Sequence, residues 1–241
     1  MPTTRKDSAM STQRNNIPKQ AVDVTRRFVA SAYGIHTPEE KPVQPDFGKS
    51  SALDAPALIV GLGHRERAGK DTFADRLRRD LSKQNWESDT LHFSSRMKDY
   101  AASIFSMFNL SRAEKDVPMP GTELTHRDIY LGVGQSLRQI YPEIWIHHAR
   151  REIQHWLATY RTATKPSVVL IPDVRYENEI EAIRKWGGRV YKVERPGTPE
   201  DKDGADDVLA NYKGWDGIIV NDGSLDDLCR LSQAFAQEFI K

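Results

Sequence analysis

Cysteine is almost absent from this sequence: Cys229 is the single one in 241 residues. An intramolecular disulfide is therefore excluded, and so is a metal site built on several thiolates. Long hydrophobic runs are missing as well. The longest strongly apolar stretch, Ala57 to Leu62, is far too short to span a bilayer, and residues 1–16 lack the apolar core of a signal peptide. A soluble, cytoplasmic protein with no membrane partner is expected. Nor is there an excess of one charge. Lys and Arg total 35 against 34 Asp and Glu, a formal net charge of +1. This balance lacks the footprint of a sequence-blind nucleic-acid binder, although it is compatible with a local basic groove.

What is present divides the chain into three parts. Residues 1–20 are polar, with Arg5, Lys6, Arg14 and Lys19 against Asp7, and cannot bury enough apolar surface to order. They are predicted to form a disordered basic arm. Residues 21–56 read as a short helix, with Ala21, Val24, Phe28, Val29 and Ala32 at helical spacing, followed by a linker containing Pro38, Pro42, Pro45 and Pro56. Residues 57–241 form the domain proper.

In that domain, strand-length apolar runs alternate with helical periodicity. Strands are predicted at 57–62, 90–93, 167–171, 189–193 and 217–220. Helices are predicted at 69–84, 97–108, 127–140, 144–160, 177–186 and 225–239, the fifth ended by a left-handed cap at Gly187. Strands separated by helices imply right-handed crossovers, hence a three-layer α/β fold around a five-stranded parallel sheet. Residues 196–214, rich in Gly, Asp and Lys, have the composition of a mobile loop. The adjacent His147 and His148 point about 100° apart on a helix and lack a completing carboxylate or thiolate, so a structural role is expected for them. Cys229, beside Leu228 and Leu231, is expected to be buried.

The most informative segment is GLGHRERAGKDT at 61–72, where a buried strand runs through a short loop into a helix. Backbone N–H groups converging at the positive end of a helix make a phosphate cradle. Gly69 lets the backbone come close, Lys70 reaches terminal phosphates, and the Thr72 hydroxyl serves Mg²⁺ or phosphate. The fit to G-x-x-x-x-G-K-[ST] is imperfect, because His64 occupies the first glycine position, Gly63 comes one residue early, and Asp71 intervenes before Thr72. Arg65 and Arg67 either add positive charge at the phosphates or are simply solvated. Asp71 either serves Mg²⁺ or the acceptor, or complements the helix dipole.

Together with this loop, FSSRMK (93–98), GQSLRQIYPEIWI (134–146), PDVRYENEIEAI (172–183), VYKVERPG (190–197) and DGIIVNDGSLDDL (216–228) resemble, in that order, the bacteriophage deoxynucleoside monophosphate kinase family. The first 55 residues lie outside the resemblance. It implies a P-loop nucleoside monophosphate kinase-like fold and Mg²⁺-dependent transfer of the ATP γ-phosphoryl group to a deoxynucleoside 5′-monophosphate, in a homodimer. On this reading the loop residues Gly63, Arg65, Arg67, Ala68, Gly69, Lys70, Asp71 and Thr72 hold ATP, joined by Arg195. Thr72 and Asp173 hold Mg²⁺, Asp173 through water. Lys70, Asp71, Arg96, Asp173 and Arg175 carry the catalysis. Ser94, Arg96, Lys98, Arg138, Trp145, Arg175 and Asn178 face the acceptor, with Arg96 clamping its phosphate. Plainer alternatives stay open for several of these: a helix cap for Asp173, a surface helix start for 94–98, and core packing for Trp145.

Other functions also stay open. A P-loop kinase acting on a hydroxymethylated pyrimidine already in phage DNA would share the loop and differ in its acceptor groove. A phosphomevalonate-type kinase has a comparable loop. A non-catalytic nucleotide-binding regulatory module would bind ATP without turnover, and the joint presence of Lys70, Thr72, Asp173 and Arg175 argues against it. The accepted base is set by a few pocket side chains that the sequence does not place.

Overall fold

The computed structural model describes residues 57–106, 116–161, 164–198 and 207–238. The expectations for 1–20 and 21–56 lie outside them. The strands are β1 (Ala57–Gly63), β2 (Glu87–Thr90), β3 (Ser167–Val174), β4 (Arg189–Glu194) and β5 (Gly217–Val220), all parallel in the order β2-β3-β1-β4-β5. The helices are α1 (Lys70–Lys83), α2 (Ser95–Ile104), α3 (His126–Ile140), α4 (Ile144–Tyr160), α5 (Glu177–Lys185) and α6 (Leu225–Glu238). The α/β architecture expected from the alternating pattern is the one observed.

β1 and β3 are the central pair, which explains why they read as continuous apolar runs: Val168 to Ile171 are fully buried. Val60 and Leu62 of β1 face one layer, where Phe73, Leu77 and Leu81 of α1 meet Leu228 and Ala236 of α6. Each such buried side chain contributes about 1.5–3 kcal/mol. On the opposite face α5 comes so near that a Cβ at Gly61 would lie 2.7 Å from Cδ1 of Ile183. A separate small cluster of Ala101, Met119 and Ile129 joins α2 to α3 beyond the carboxyl ends of the strands.

The second strand corrects the sequence reading. It spans 87–90, not 90–93, pairing Glu87 with Ser167 through Thr90 with Leu170. As an edge strand it tolerates the polar sequence ESDT, whereas Leu91 and Phe93, whose apolar character suggested a strand, follow it. Phe93 is buried beside Trp186, with ring centroids 6.4 Å apart, and its N–H bonds Asp173 rather than a ladder partner. The left-handed cap at Gly187 is present, with φ 79°. Cys229 is only partly buried. In the segment expected to be mobile, residues 199–206 lie outside the described residues. Its later part is anchored: Leu209 is buried, and Arg184 donates to the Tyr212 hydroxyl and the Gly214 carbonyl.

His148 on α4 is buried against Tyr100 and Trp145, with ring centroids 5.4 and 6.0 Å away. Burial, helped by the nearby Arg151 and Arg96, pushes its pKa down to about 4. The folded state therefore holds it neutral while the unfolded chain protonates it near pH 6.5. Its contribution is complete above pH 6.5 and is lost as pH falls toward 4. The melting-temperature advantage of wild type over His148→Phe should accordingly shrink between pH 7.5 and pH 5. A pH-independent advantage would refute this.

Candidate active site

The loop between β1 and α1 takes its shape from three left-handed residues, His64 (φ 90°), Arg67 (φ 61°) and Gly69 (φ 95°). At Gly69 this backbone excludes a side chain twice over, since a Cβ would also lie 2.5 Å from Nδ2 of Asn221. His64 occupies the left-handed position where the strict motif has glycine. Histidine is among the side chains more often found there, at a cost of about 1–2 kcal/mol. Its Nδ1 is buried without a partner, and burial, then Lys192 and Arg65, lower its pKa, so it stays neutral.

Lys70, the first residue of α1, is buried and curls back so that Nζ donates to the carbonyl of His64 at 2.8 Å and to that of Arg65. Behind the loop, buried Asn221 donates from Nδ2 to the carbonyl of Ala68 at 2.9 Å. Asn221→Ala leaves that carbonyl without its donor. The expected loss is about 1–3 kcal/mol of stability. Denaturant melts would check it, and a variant as stable as wild type would refute it.

The loop opens onto a cleft of about 920 Å³ along the carboxyl edge of the sheet, where ligands bind in open α/β folds. Arg67, Gly69, Lys70, Asp71 and Thr72 form one end. Ser94 and Lys98 enter after β2, Arg138 from α3, Asp173 and Arg175 from the end of β3, and Arg195 after β4. The lining holds eight Lys or Arg against six Asp or Glu, a slight excess of positive charge, with Arg138 paired to Glu179 and Arg127 to Glu66. A pocket of about 280 Å³ adjoins it, formed by His64, Arg65, Ala68, Arg195 and neighbours.

Asp173 links two walls. Oδ1 accepts from the N–H of Phe93 and Oδ2 from that of Ser94, each at 2.9 Å. Arg138 donates from Nη2 to Oε1 of Glu179 at 2.9 Å, and its guanidinium lies 4.1 Å from the Tyr176 ring centroid. Burial pushes the Glu179 carboxyl up to about 7, against the pull of Arg138.

Four residues expected at the site lie elsewhere. Arg96 projects from the outer side of α2, where Nε is 2.5 Å from Glu152 and Nη1 is 3.4 Å from Asp99, so it does not clamp an acceptor in the cleft. Trp145 is 2% exposed and donates from Nε1 to the carbonyl of Gly134, which makes it core. Asn178 donates to the carbonyl of Pro142, outside the cleft. Gly63 is buried against Trp215, whose ring would lie 2.6 Å from a Cβ there. His147 and His148 of α4 are packing groups: His147 meets the Tyr141 hydroxyl at 2.8 Å and His148 is buried against Tyr100 and Trp145, whereas His155 is exposed. Among the described residues no cluster of three or more His, Cys, Asp or Glu is arranged to hold a metal.

No family model matches the chain. Over 89 residues it is 29% identical to a protein of Acanthamoeba polyphaga mimivirus named "Putative deoxynucleotide monophosphate kinase"; the match covers 36% of this chain and 44% of that protein's length. The chain thus aligns with less than half of this curated relative. Among solved structures, dephospho-CoA kinase from Campylobacter jejuni is similar at 17% identity, 76% of this chain, 97% of that one, and a TM-score of 0.39. The Mycobacterium tuberculosis APS kinase in complex with AMPPNP and APS is similar at 13% identity, 77% and 96% coverage, and a TM-score of 0.37. Likenesses this loose do not bear on function, and the fold stands on the strand order above.

Among the cleft residues that the sequence does not single out are Tyr176, Glu179 and Arg127. Tyr176 and Glu179 lie inside the element 172–183 that was singled out, so the signal was present. Arg127 gives none. It reaches Asp116 with Nε at 2.6 Å and Glu66 with Nη1 at 3.2 Å, and these bonds hold its guanidinium above its ordinary pKa. Among the described residues no helix is long and apolar enough to cross a membrane.

Proposed function

We propose that this protein transfers the γ-phosphoryl group of ATP to a deoxynucleoside 5′-monophosphate. The observation that carries the reading is the buried Lys70, held in a left-handed loop at a helix N-terminus, opening onto the same cleft as Arg138, Asp173 and Arg175. The mimivirus relative's name supports a deoxynucleotide monophosphate as acceptor.

The loop N–H groups, Lys70 and Arg67 take the β- and γ-phosphates of ATP. The adjoining pocket, with Arg65, Ala68 and Arg195, takes the donor nucleoside. Lys98, Arg138 and Arg175 face the acceptor phosphate, which enters along Ser94. An oxygen of that phosphate attacks the γ-phosphorus, the bond to the β-phosphate oxygen breaks, and ADP leaves. No side chain need remove a proton, because the acceptor phosphate is already largely dianionic at pH 7, its second pKa being about 6. Catalysis therefore consists of alignment and charge neutralisation.

The oxygen donors suit Mg²⁺, which binds through one or two protein oxygens while phosphates and water complete its shell. Thr72 would hold it directly and Asp173 through water, since each Asp173 oxygen keeps a lone pair beyond its backbone bond. Mg²⁺ supplies neutralisation of phosphate charge when bound.

A coupled ADP-release assay with Mg·ATP tests this against the four standard deoxynucleoside monophosphates, a hydroxymethylated pyrimidine monophosphate and hydroxymethyluracil-containing DNA. Turnover with a free monophosphate is expected. Turnover with the modified DNA alone would keep the loop and replace the acceptor. ATP binding without turnover on any acceptor would indicate a regulatory module.

A further inference from the structure

Glu179 enters the cleft wall from the first turn of α5 and is only 2% exposed. Its Oε1 accepts from Arg138 at 2.9 Å, while Oε2 accepts from the backbone N–H groups of Arg175 at 2.8 Å and Tyr176 at 3.2 Å. A carboxylate that merely capped α5 needs only the two backbone bonds and can sit in water. This one is taken out of water, which is costly unless the charge is paired and its lone pairs are used. Its partner comes from another helix, 41 residues earlier. Arg138 is thereby fixed on two sides, by the carboxylate and by the Tyr176 ring, while a quarter of its side chain stays exposed. The same carboxylate sets the turn that carries Arg175.

We propose that Glu179 is a positioning residue for the acceptor phosphate, locking the Arg138 guanidinium and the Arg175–Tyr176 turn into one geometry so that two arginines converge on one anion. This rests on the phosphoryl-transfer reading above. Among the described residues the hydrogen bonds of Glu179 go to Arg138, Arg175 and Tyr176, so its influence is expected on the acceptor rather than on ATP.

Glu179→Gln separates positioning from capping. Glutamine keeps the length and an oxygen for the backbone N–H groups, and in assays above pH 7, where the Glu179 carboxyl is ionised, it removes the charge facing Arg138. In the full-length protein, acceptor KM should rise about 10- to 100-fold, the loss of one hydrogen bond between charged groups, with ATP KM unchanged. Arg138→Ala should give a similar rise, and adding Glu179→Gln to it should change little further, because the two act through one contact. Tyr176→Leu, which removes the ring beneath the guanidinium and spares the cap, is the second probe if Glu179→Gln fails to fold. It too should raise acceptor KM selectively.

Wild-type turnover on a monophosphate is the control. If wild type turns over and Glu179→Gln keeps its acceptor KM, or raises both KM values equally, Glu179 only supports the fold. Additive effects of the Glu179 and Arg138 changes would overturn the assignment in the same way, as would an unchanged acceptor KM in Tyr176→Leu. Absence of turnover by wild type on any mononucleotide removes the underlying reading, and this inference with it.

Discussion

Lys70→Ala lowers kcat by about 10³-fold or more while the protein remains folded, the range seen when a donor aimed at developing phosphoryl charge is removed. The ammonium is the one cation buried in the loop itself, and in the resting loop it bonds the carbonyls of His64 and Arg65. On the proposed reading, bound ATP would offer it β- and γ-phosphate oxygens in exchange. Removing it leaves two loop carbonyls without that donor, which costs about 1–2 kcal/mol, or roughly 2–8 °C in melting temperature for a domain of this size. Circular dichroism and a melt establish the fold, and single-turnover kinetics establish the chemical step. A variant with wild-type turnover would remove the phosphate-loop assignment.

Asp173→Asn has a comparable effect for a different reason. Each carboxylate oxygen accepts a backbone N–H, from Phe93 and from Ser94. Asparagine has one acceptor oxygen, so its amide turns a donor toward one of those N–H groups. The turn leading into α2 is then released from β3, with the loss of a charge-assisted bond worth about 1.5–3 kcal/mol. The same change removes the charge proposed to face Mg²⁺. We expect kcat to fall about 10²- to 10³-fold and the Mg²⁺ concentration for half-maximal rate to rise. A variant that is less stable yet keeps the wild-type Mg²⁺ dependence would show that Asp173 anchors the turn and does nothing for the metal.

Features encoded locally were legible in the sequence. β1 and β3, buried on both faces, announce themselves as apolar runs, and α4 spans the limits that its sequence pattern predicts. β2 was displaced because an edge strand has no need of apolar residues. The loop and the turn after β3 are contiguous stretches, so the sequence singles out Lys70, Thr72, Asp173 and Arg175, which line the same cleft.

Side chains on helices were harder, because the face turned to the cleft is decided by packing. Ser94 and Lys98 are four residues apart and share a face, whereas Arg96 lies between them, on the other side of α2. The cleft admits the first two and leaves Arg96 to Glu152. Trp145 belongs to the buried stripe of α4. Arg127 was invisible because its partners, Glu66 and Asp116, are 61 and 11 residues distant.

If phosphate passes from ATP to a monophosphate in this cleft, incubation of the wild-type protein with Mg²⁺, γ-³²P-ATP and each deoxynucleoside monophosphate, followed by separation of the products, should place label in a deoxynucleoside diphosphate, with none formed by Lys70→Ala. Label recovered only as inorganic phosphate, or remaining in ATP with every acceptor, would contradict it.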